Sequence, residues 1–272
     1  MSNKLEFNSR RSPVFGLRGM VATSQPLAVA AGLEILAQGG SAADAAIATA
    51  AALNVTEPTS TGLGGDCFAL HYEAATRQVT ALNGSGRAPA GLTLERLRQE
   101  GFLDSPAGAE LPPYHPYTIT VPGAAAGWCD LVEHFGRLPL GKVLAPAIRL
   151  AQQGFPVAPI TAYFWQRGAE KQLKTAPGGQ ELTIAGRAPR AGEIFRNPGL
   201  GRTLVRLAQG GKPAFYQGEI AEAIARVVQE AGGCLAVDDL ANHHSSWERP
   251  VSTAYRNVRV WECPPNGQGL TA

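Results

Sequence analysis

The sequence predicts an α+β fold, and three observations carry that prediction. Strand-like alternation with a hairpin signature occurs early, at 67–82, and again late, at 252–263. Helical patterns fill most of the space between. Strands and helices do not alternate as a parallel βαβ series would require. The 272 residues (28.5 kDa) show no fixed-period repeat and no low-complexity linker, so they are expected to share one core.

The elements follow in order. Residues 1–18 read as a tail and 19–23 as a first strand. Ser24-Gln25-Pro26 opens a helix, because a polar cap with proline in the first turn suits N–H groups that have no helical partner. Leu27, Ala30, Ala31, Leu33, Ile35 and Leu36 continue it, and Gly39-Gly40 stops it. Ser41 with Asp44 three residues on is a near relative of the capping box. Residues 42–53 are small and apolar on nearly every side, which predicts a helix buried centrally. Residues 57–65 form a loop whose Gly62, Gly64 and Gly65 permit backbone conformations closed to other residues.

Residues 67–73 and 78–82 read as a β-hairpin that empties into Asn83-Gly84-Ser85-Gly86-Arg87-Ala88-Pro89. A short charged helix at 94–100, a Pro/Gly-rich loop at 101–116 and a strand at 117–121 come next. Helices are expected at 124–135, 141–153, 160–173, 200–208 and 219–231, with 175–196 irregular. In the last helix Ile220, Ala223, Ile224, Val227 and Val228 share a face. Residues 252–263 read as a strand or hairpin.

Composition removes several functional classes. Lys plus Arg is 24 and Asp plus Glu is 22, a net charge of +2, which is not the balance of a polybasic nucleic-acid or membrane binder. The polar residues 1–11 lack a signal-peptide core, which implies a cytoplasmic protein. The most apolar window, 42–55, is too short for a bilayer and contains Asp44 and Asn54. Cysteines 67, 129, 234 and 263 form no C-x-x-C pair, and read as reduced thiols or as two long-range disulfides.

Site chemistry narrows further. His71, His115, His134, His243 and His244 make no H-E-x-x-H and pair with no cysteine at zinc spacing, so no metal is expected. His71 and His134 read as structural. The Gly62 loop has Cys67 where a dinucleotide loop needs its third glycine, and a strand follows where a helix is required. G-K-[ST] and G-x-S-x-G are both lacking, which leaves no nucleotide cofactor and no hydrolase nucleophile elbow. Cys67 reads as a small core residue. Arg87 stands apart. It follows two glycines on a loop and is stiffened by Pro89, so its guanidinium could clamp a carboxylate bidentately. A surface salt bridge is the alternative, and local sequence leaves both open.

The series Met20-Val21-Ala22-Thr23-Ser24-Gln25-Pro26, Gly39-Gly40-Ser41-Ala42-Ala43-Asp44, Glu57-Pro58 and Gly62-Leu63-Gly64-Gly65-Asp66 resembles the γ-glutamyltransferase (γ-glutamyltranspeptidase) family. So do Phe195-Arg196-Asn197-Pro198, Ala214-Phe215-Tyr216-Gln217-Gly218-Glu219, Ala231-Gly232-Gly233 and Asp238-Asp239-Leu240-Ala241. Pro264-Pro265-Asn266-Gly267-Gln268-Gly269 looks like a variant of that family's proline-rich loop.

The resemblance implies an N-terminal-nucleophile hydrolase with an αββα sandwich. Its precursor cleaves itself into a large and a small subunit. The small subunit's new N-terminal threonine attacks γ-glutamyl amides such as glutathione, with its own α-amine as base. Residues 19–272 would then be the large-subunit portion only, a half-sandwich with an exposed apolar sheet face and no cofactor. The nucleophile is expected beyond residue 272, and no catalytic residue within the chain, which alone is expected to be inactive. Arg87 resembles the family arginine that binds the substrate α-carboxylate. The small subunit of the same precursor is the expected partner. Asn83-Gly84-Ser85-Gly86 replaces a bulkier acidic stretch, and together with Asp66 it points to the bacterial γ-glutamyltransferase-like branch, with its cephalosporin-acylase-like and oxamate-amidohydrolase-like members. A non-catalytic carboxylate-binding fragment is the other alternative.

Overall fold

A helix without a polar face organises the computed structural model, which describes residues 12–103, 111–173 and 176–271. Helix α1, Pro26–Ala37, begins at Gln25, whose side-chain oxygen accepts from Leu27 N, and Gly39 beyond its end has φ 88°. Helix α2, Ala42–Thr56, is the alanine-rich segment, and Ala43, Ala45, Ala48, Ala51, Ala52 and Val55 are all buried. Small side chains all round let other helices approach on several sides. Thr49 and Thr56 bury hydroxyls within it by donating to the carbonyls of Ala45 and Ala52.

The start of α2 is locked by the full capping box. Ser41 Oγ accepts from Asp44 N, and Asp44 Oδ2 accepts from Ser41 N at 2.8 Å. The same Oδ2 accepts from Arg137 N at 2.8 Å and Leu138 N at 3.3 Å. A fully buried carboxylate thus ties the central helix to the turn between two later ones. These are α4, Ala124–Phe135, and α5, Leu140–Gln153, which follow the short exposed helix α3, Leu94–Gln99.

Strands β1, Cys67–Glu73, and β2, Gln78–Gly84, form the expected hairpin, with Cys67 opposite Gly84 and Glu73 opposite Gln78. A third antiparallel strand, β5, Ser246–Glu248, joins the far side of β2, giving the order β1-β2-β5. One sheet face rests on α4, where His71 stacks on Phe135 at 3.7 Å and His134 lies 4.8 Å from Trp247. Both histidines are packing elements. Phe68, Leu70 and Tyr72 occupy the other face and are 40%, 40% and 59% exposed. That uncovered apolar face is larger than scattered surface residues require.

The remaining elements complete the α+β fold. A two-residue pairing joins β3, Phe155–Pro156, to β4, Ile194–Phe195. Helix α6 is Pro159–Gly168, continued by a π turn to Leu173. Helix α7, Pro198–Tyr216, consists of two helical pieces meeting at Gly211, φ 60°. Helices α8, Gly218–Glu230, and α9, Val237–Ala241, lead to β5 and to a hairpin of β6, Val251–Tyr255, and β7, Val258–Glu262. The four cysteines are free thiols.

Several expectations are corrected. Residues 19–23 are not a strand, because no neighbouring strand pairs with them. Residues 117–121 are not a strand either. His115 Nδ1 accepts from Tyr117 N and Pro116 fixes φ, so Pro116–Thr118 is a 3-10 turn. The helix expected at 200–208 runs on to Tyr216 through the break at Gly211. In α8 the fully buried stripe is Ala221, Ala225 and Val228, while Val227 is exposed. None of Gly62, Gly64 and Gly65 has positive φ, so that loop does not depend on glycine-only backbone. Residues 1–11 of the expected tail, 104–110 of the Pro/Gly-rich loop, 174–175 and 272 lie outside the described residues.

Replacing Asp44 with alanine should lower unfolding free energy by about 3 kcal/mol, because three part-buried N–H groups lose a charged acceptor, and Asp44→Asn should lower it by about half as much. Urea denaturation measures both, and an unchanged midpoint for Asp44→Ala would contradict the assigned role.

Candidate functional site

Arg87 sits on the loop that leaves β2, and four other chain segments fix that loop. Asp66 Oδ1 accepts from Gly86 N at 2.9 Å. The Arg87 carbonyl accepts from Val121 N at 3.0 Å. Asp239 Oδ1 accepts from Ala90 N at 2.9 Å, while its Oδ2 accepts from Ala236 N. Asn266 accepts through Oδ1 from Asn83 Nδ2 at 2.9 Å and donates through Nδ2 to Ser85 Oγ at 3.1 Å. Ser85 N in turn donates to Asn83 Oδ1. Asp66, Asp239 and Asn266 come from three of the sequence motifs, some spanning 180 residues, and each holds this one loop.

Close backbone approach explains the glycines flanking Arg87. A Cβ on Gly86 would lie 1.7 Å from the Val121 carbonyl oxygen, and one on Gly123 would lie 1.9 Å from that of Gly84. The Gly84–Arg87 segment and residues 121–123 therefore pack backbone on backbone. Gly65 adds a further clasp, its carbonyl accepting from Gly123 N and Ala124 N at 2.9 Å each. Tyr216 completes the α4 start by donating to the Pro122 carbonyl and accepting from Ala126 N.

The Arg87 side chain is exposed and, among the described residues, belongs to no ion pair. Its Nη1 lies 3.4 Å from His244 Nε2. The neighbouring His243 stacks on Tyr216 with ring centroids 5.2 Å apart. Burial holds His243 below the usual histidine range, and His244 and Arg87 push it the same way. Asp66 and the buried-side Asp130 oppose that shift. The cluster thus sets the Arg87 guanidinium beside His244, with burial favouring the neutral form of His243.

Two clefts lie nearby in sequence terms, and Arg87 lines neither. One of about 610 Å³ is bordered by Gly62, Gly64, Asp66, Asn54 and Trp128. A larger one, about 930 Å³, runs between residues 18–23, α2 and the His71–Glu73 end of β1. Its walls mix alanines with Arg18, His71, Glu73, His134 and Arg137, and size alone does not make it the reactive site.

Thiol chemistry is disfavoured. Burial pushes Cys67 up to about 11 and Cys129 up to about 12, which keeps both protonated and poorly nucleophilic. Among the described residues no group of three His, Cys, Asp or Glu side chains is placed to hold a metal ion. No described helix is long and apolar enough to cross a membrane. Sequence reasoning singled out Arg87 but missed His243 and His244 as its neighbours. Nothing local could have found them, since they lie more than 150 positions away and reach Arg87 only because β5 joins β2.

Comparison with known proteins agrees with the motif series. The family model described as Gamma-glutamyltranspeptidase matches residues 28–272. The glutathione hydrolase-like YwrD proenzyme of Bacillus subtilis (strain 168) is 37% identical over 258 residues, 95% of this chain and 48% of that protein. A crystal structure of cephalosporin acylase from Bacillus halodurans superposes with TM-score 0.89 at 45% identity, covering 99% of this chain and 50% of that one. The Helicobacter pylori γ-glutamyltranspeptidase structure gives TM-score 0.85 at 28% identity, covering 94% and 73%. The chain spans about half the length of the first two.

Gly86→Ala should cost about 1–3 kcal/mol through overpacking against Val121, and Gly64→Ala, whose Cβ would meet nothing within 4 Å, should be close to neutral. Thermal or urea unfolding of the two variants checks this, and equal stabilities would contradict the close-crossing account.

Proposed function

The chain belongs to the γ-glutamyltranspeptidase family, and we propose that its residues 19–272 are the large-subunit portion of a self-processing enzyme that cleaves γ-glutamyl amides. In this reading the threonine hydroxyl that begins the small subunit attacks the γ-carbonyl carbon. The amide C–N bond breaks, the amine leaves with a proton, and a γ-glutamyl ester remains. Water or an acceptor amine then takes the acyl group and restores the hydroxyl. Backbone donors would stabilise the oxyanion. None of these reacting groups is assigned to this chain, which by itself is expected to be inactive.

The contribution of this chain is recognition. One observation carries the proposal: Arg87 has a guanidinium without an acidic partner among the described residues, on a loop that Asp66, Val121, Asp239 and Asn266 hold in place. Five fixed donors on such a group suit the planar α-carboxylate of a glutamyl substrate. The guanidinium is exposed in the chain alone, so the opposite wall of the pocket is assigned to the remainder of the protein. The exposed face of Phe68, Leu70 and Tyr72 supports an αββα arrangement in which a second sheet covers it.

A second reading concerns the acyl group. The 45% identity to the cephalosporin acylase favours an acylase-type donor with the same nucleophile chemistry. Parallel assays with glutathione and with a cephalosporin side-chain amide separate the two.

The full-length gene product should split into two bands on denaturing gels, with threonine as the first residue of the smaller one by N-terminal sequencing. A single band, or a different first residue, would overturn the processing scheme. In the processed protein, Arg87→Ala should raise KM for a γ-glutamyl substrate by roughly thirtyfold or more, the equivalent of about 2 kcal/mol lost with one member of a charged pair. An unchanged KM would remove Arg87 from the site.

A further inference from the structure

We propose that His244 is a positioning residue for Arg87, orienting the guanidinium through a neutral acceptor so that its charge stays available to an incoming carboxylate. The inference rests on the reading of Arg87 given above and names the group that sets its geometry.

The atoms define the arrangement. His244 Nδ1 lies 3.1 Å from the Asn242 carbonyl oxygen, which can only accept. The proton therefore sits on Nδ1, and Nε2 presents a lone pair. That lone pair faces Arg87 Nη1 at 3.4 Å, at the long end of hydrogen-bonding distance. Arg87 Nη1 donates and His244 Nε2 accepts. An aspartate or glutamate in the same place would orient the side chain equally well, but would also neutralise it and compete with the substrate carboxylate. Asp66, the carboxylate in this cluster, directs Oδ1 to Gly86 N instead and makes no ion pair with Arg87.

The backbone on either side of His244 is anchored. His243, one residue before it, stacks on Tyr216, whose hydroxyl is fixed by Pro122 and Ala126. Two residues on, Ser246 opens β5 and pairs with Asn83 of β2, at the root of the Arg87 loop. The backbones of both members of the Arg87–His244 contact are thus rooted at the same sheet junction.

The test uses the full-length processed protein and a γ-glutamyl substrate. His244→Ala should raise KM about fivefold to tenfold, the value of one ordinary hydrogen bond, while kcat changes less than about twofold. His244→Gln, which keeps a neutral acceptor, should restore most of the affinity. His244→Glu should raise KM further than alanine does, because the new carboxylate pairs with Arg87. A glutamate variant no worse than alanine, or a loss confined to kcat, would overturn the proposal. Long-range proton–nitrogen spectra of the wild type give a second readout. They should show His244 protonated on Nδ1, with an Nε2 signal that moves in Arg87→Ala. A proton on Nε2 would overturn the proposal. If the wild type turns over no γ-glutamyl substrate, the functional reading fails, and the tautomer decides the His244 assignment alone.

Discussion

Two backbone segments cross at a distance that leaves no room for a side chain, and the position of Arg87 follows from that crossing. Gly86 abuts the Val121 carbonyl and Gly123 abuts that of Gly84. The crossing joins the end of β2 to the start of α4, and so joins the sheet to the helical layer. Hydrogen bonds from Gly65, Asp66, Asp239 and Asn266 then pin the same few residues. A flexible side chain gains directional value from such a rigid root, because less conformational freedom is lost when a ligand binds.

A second constraint sits at the other end of α4. Asp44 is fully buried, yet its Oδ2 collects three backbone N–H groups from two separate stretches of chain. The donors replace the hydration of Oδ2, while Oδ1 is buried without a hydrogen-bond partner among the described residues. Between them, the glycine crossing at the start of α4 and the Asp44 junction at its end fix that helix against α2 and the sheet. The apolar core of alanines fills the space, but alanines alone specify no register. The polar junctions do.

Much of this was legible in the sequence, and the reason differs by element. The α2 helix was readable because Ser41 and Asp44 are a local signal, and because an all-apolar helix has one destination. The hairpin of β1 and β2 was readable from alternation. Residues 117–121 alternate as well and 19–23 also read as a strand, but strand formation needs a neighbour, and no neighbour is visible locally. Strand β5 escaped notice for the converse reason: three residues acquire strand character only by joining β2. At the site, Arg87 and the motif residues were legible. Their convergence was not, since Asp66, Asp239 and Asn266 meet only through the tertiary fold. His244 was invisible for the same reason. The glycines at 62, 64 and 65 misled, because glycine content signals permissiveness and not its use.

Fold and family agree with one another, and the chemistry is divided between what this chain holds and what the other half of its relatives' length would supply. The chain offers a guanidinium on a fixed loop, with no ion pair among the described residues, and an uncovered apolar sheet face. The central claim is that this guanidinium is the anchor for a substrate carboxylate. The most direct measurement is a crystal structure of the processed full-length protein soaked with glutamate. The account predicts the α-carboxylate in a two-bond contact with Arg87 at about 2.8 Å, the distance usual for charge-assisted pairs. Glutamate held by a different cation, with Arg87 facing bulk water, would contradict it.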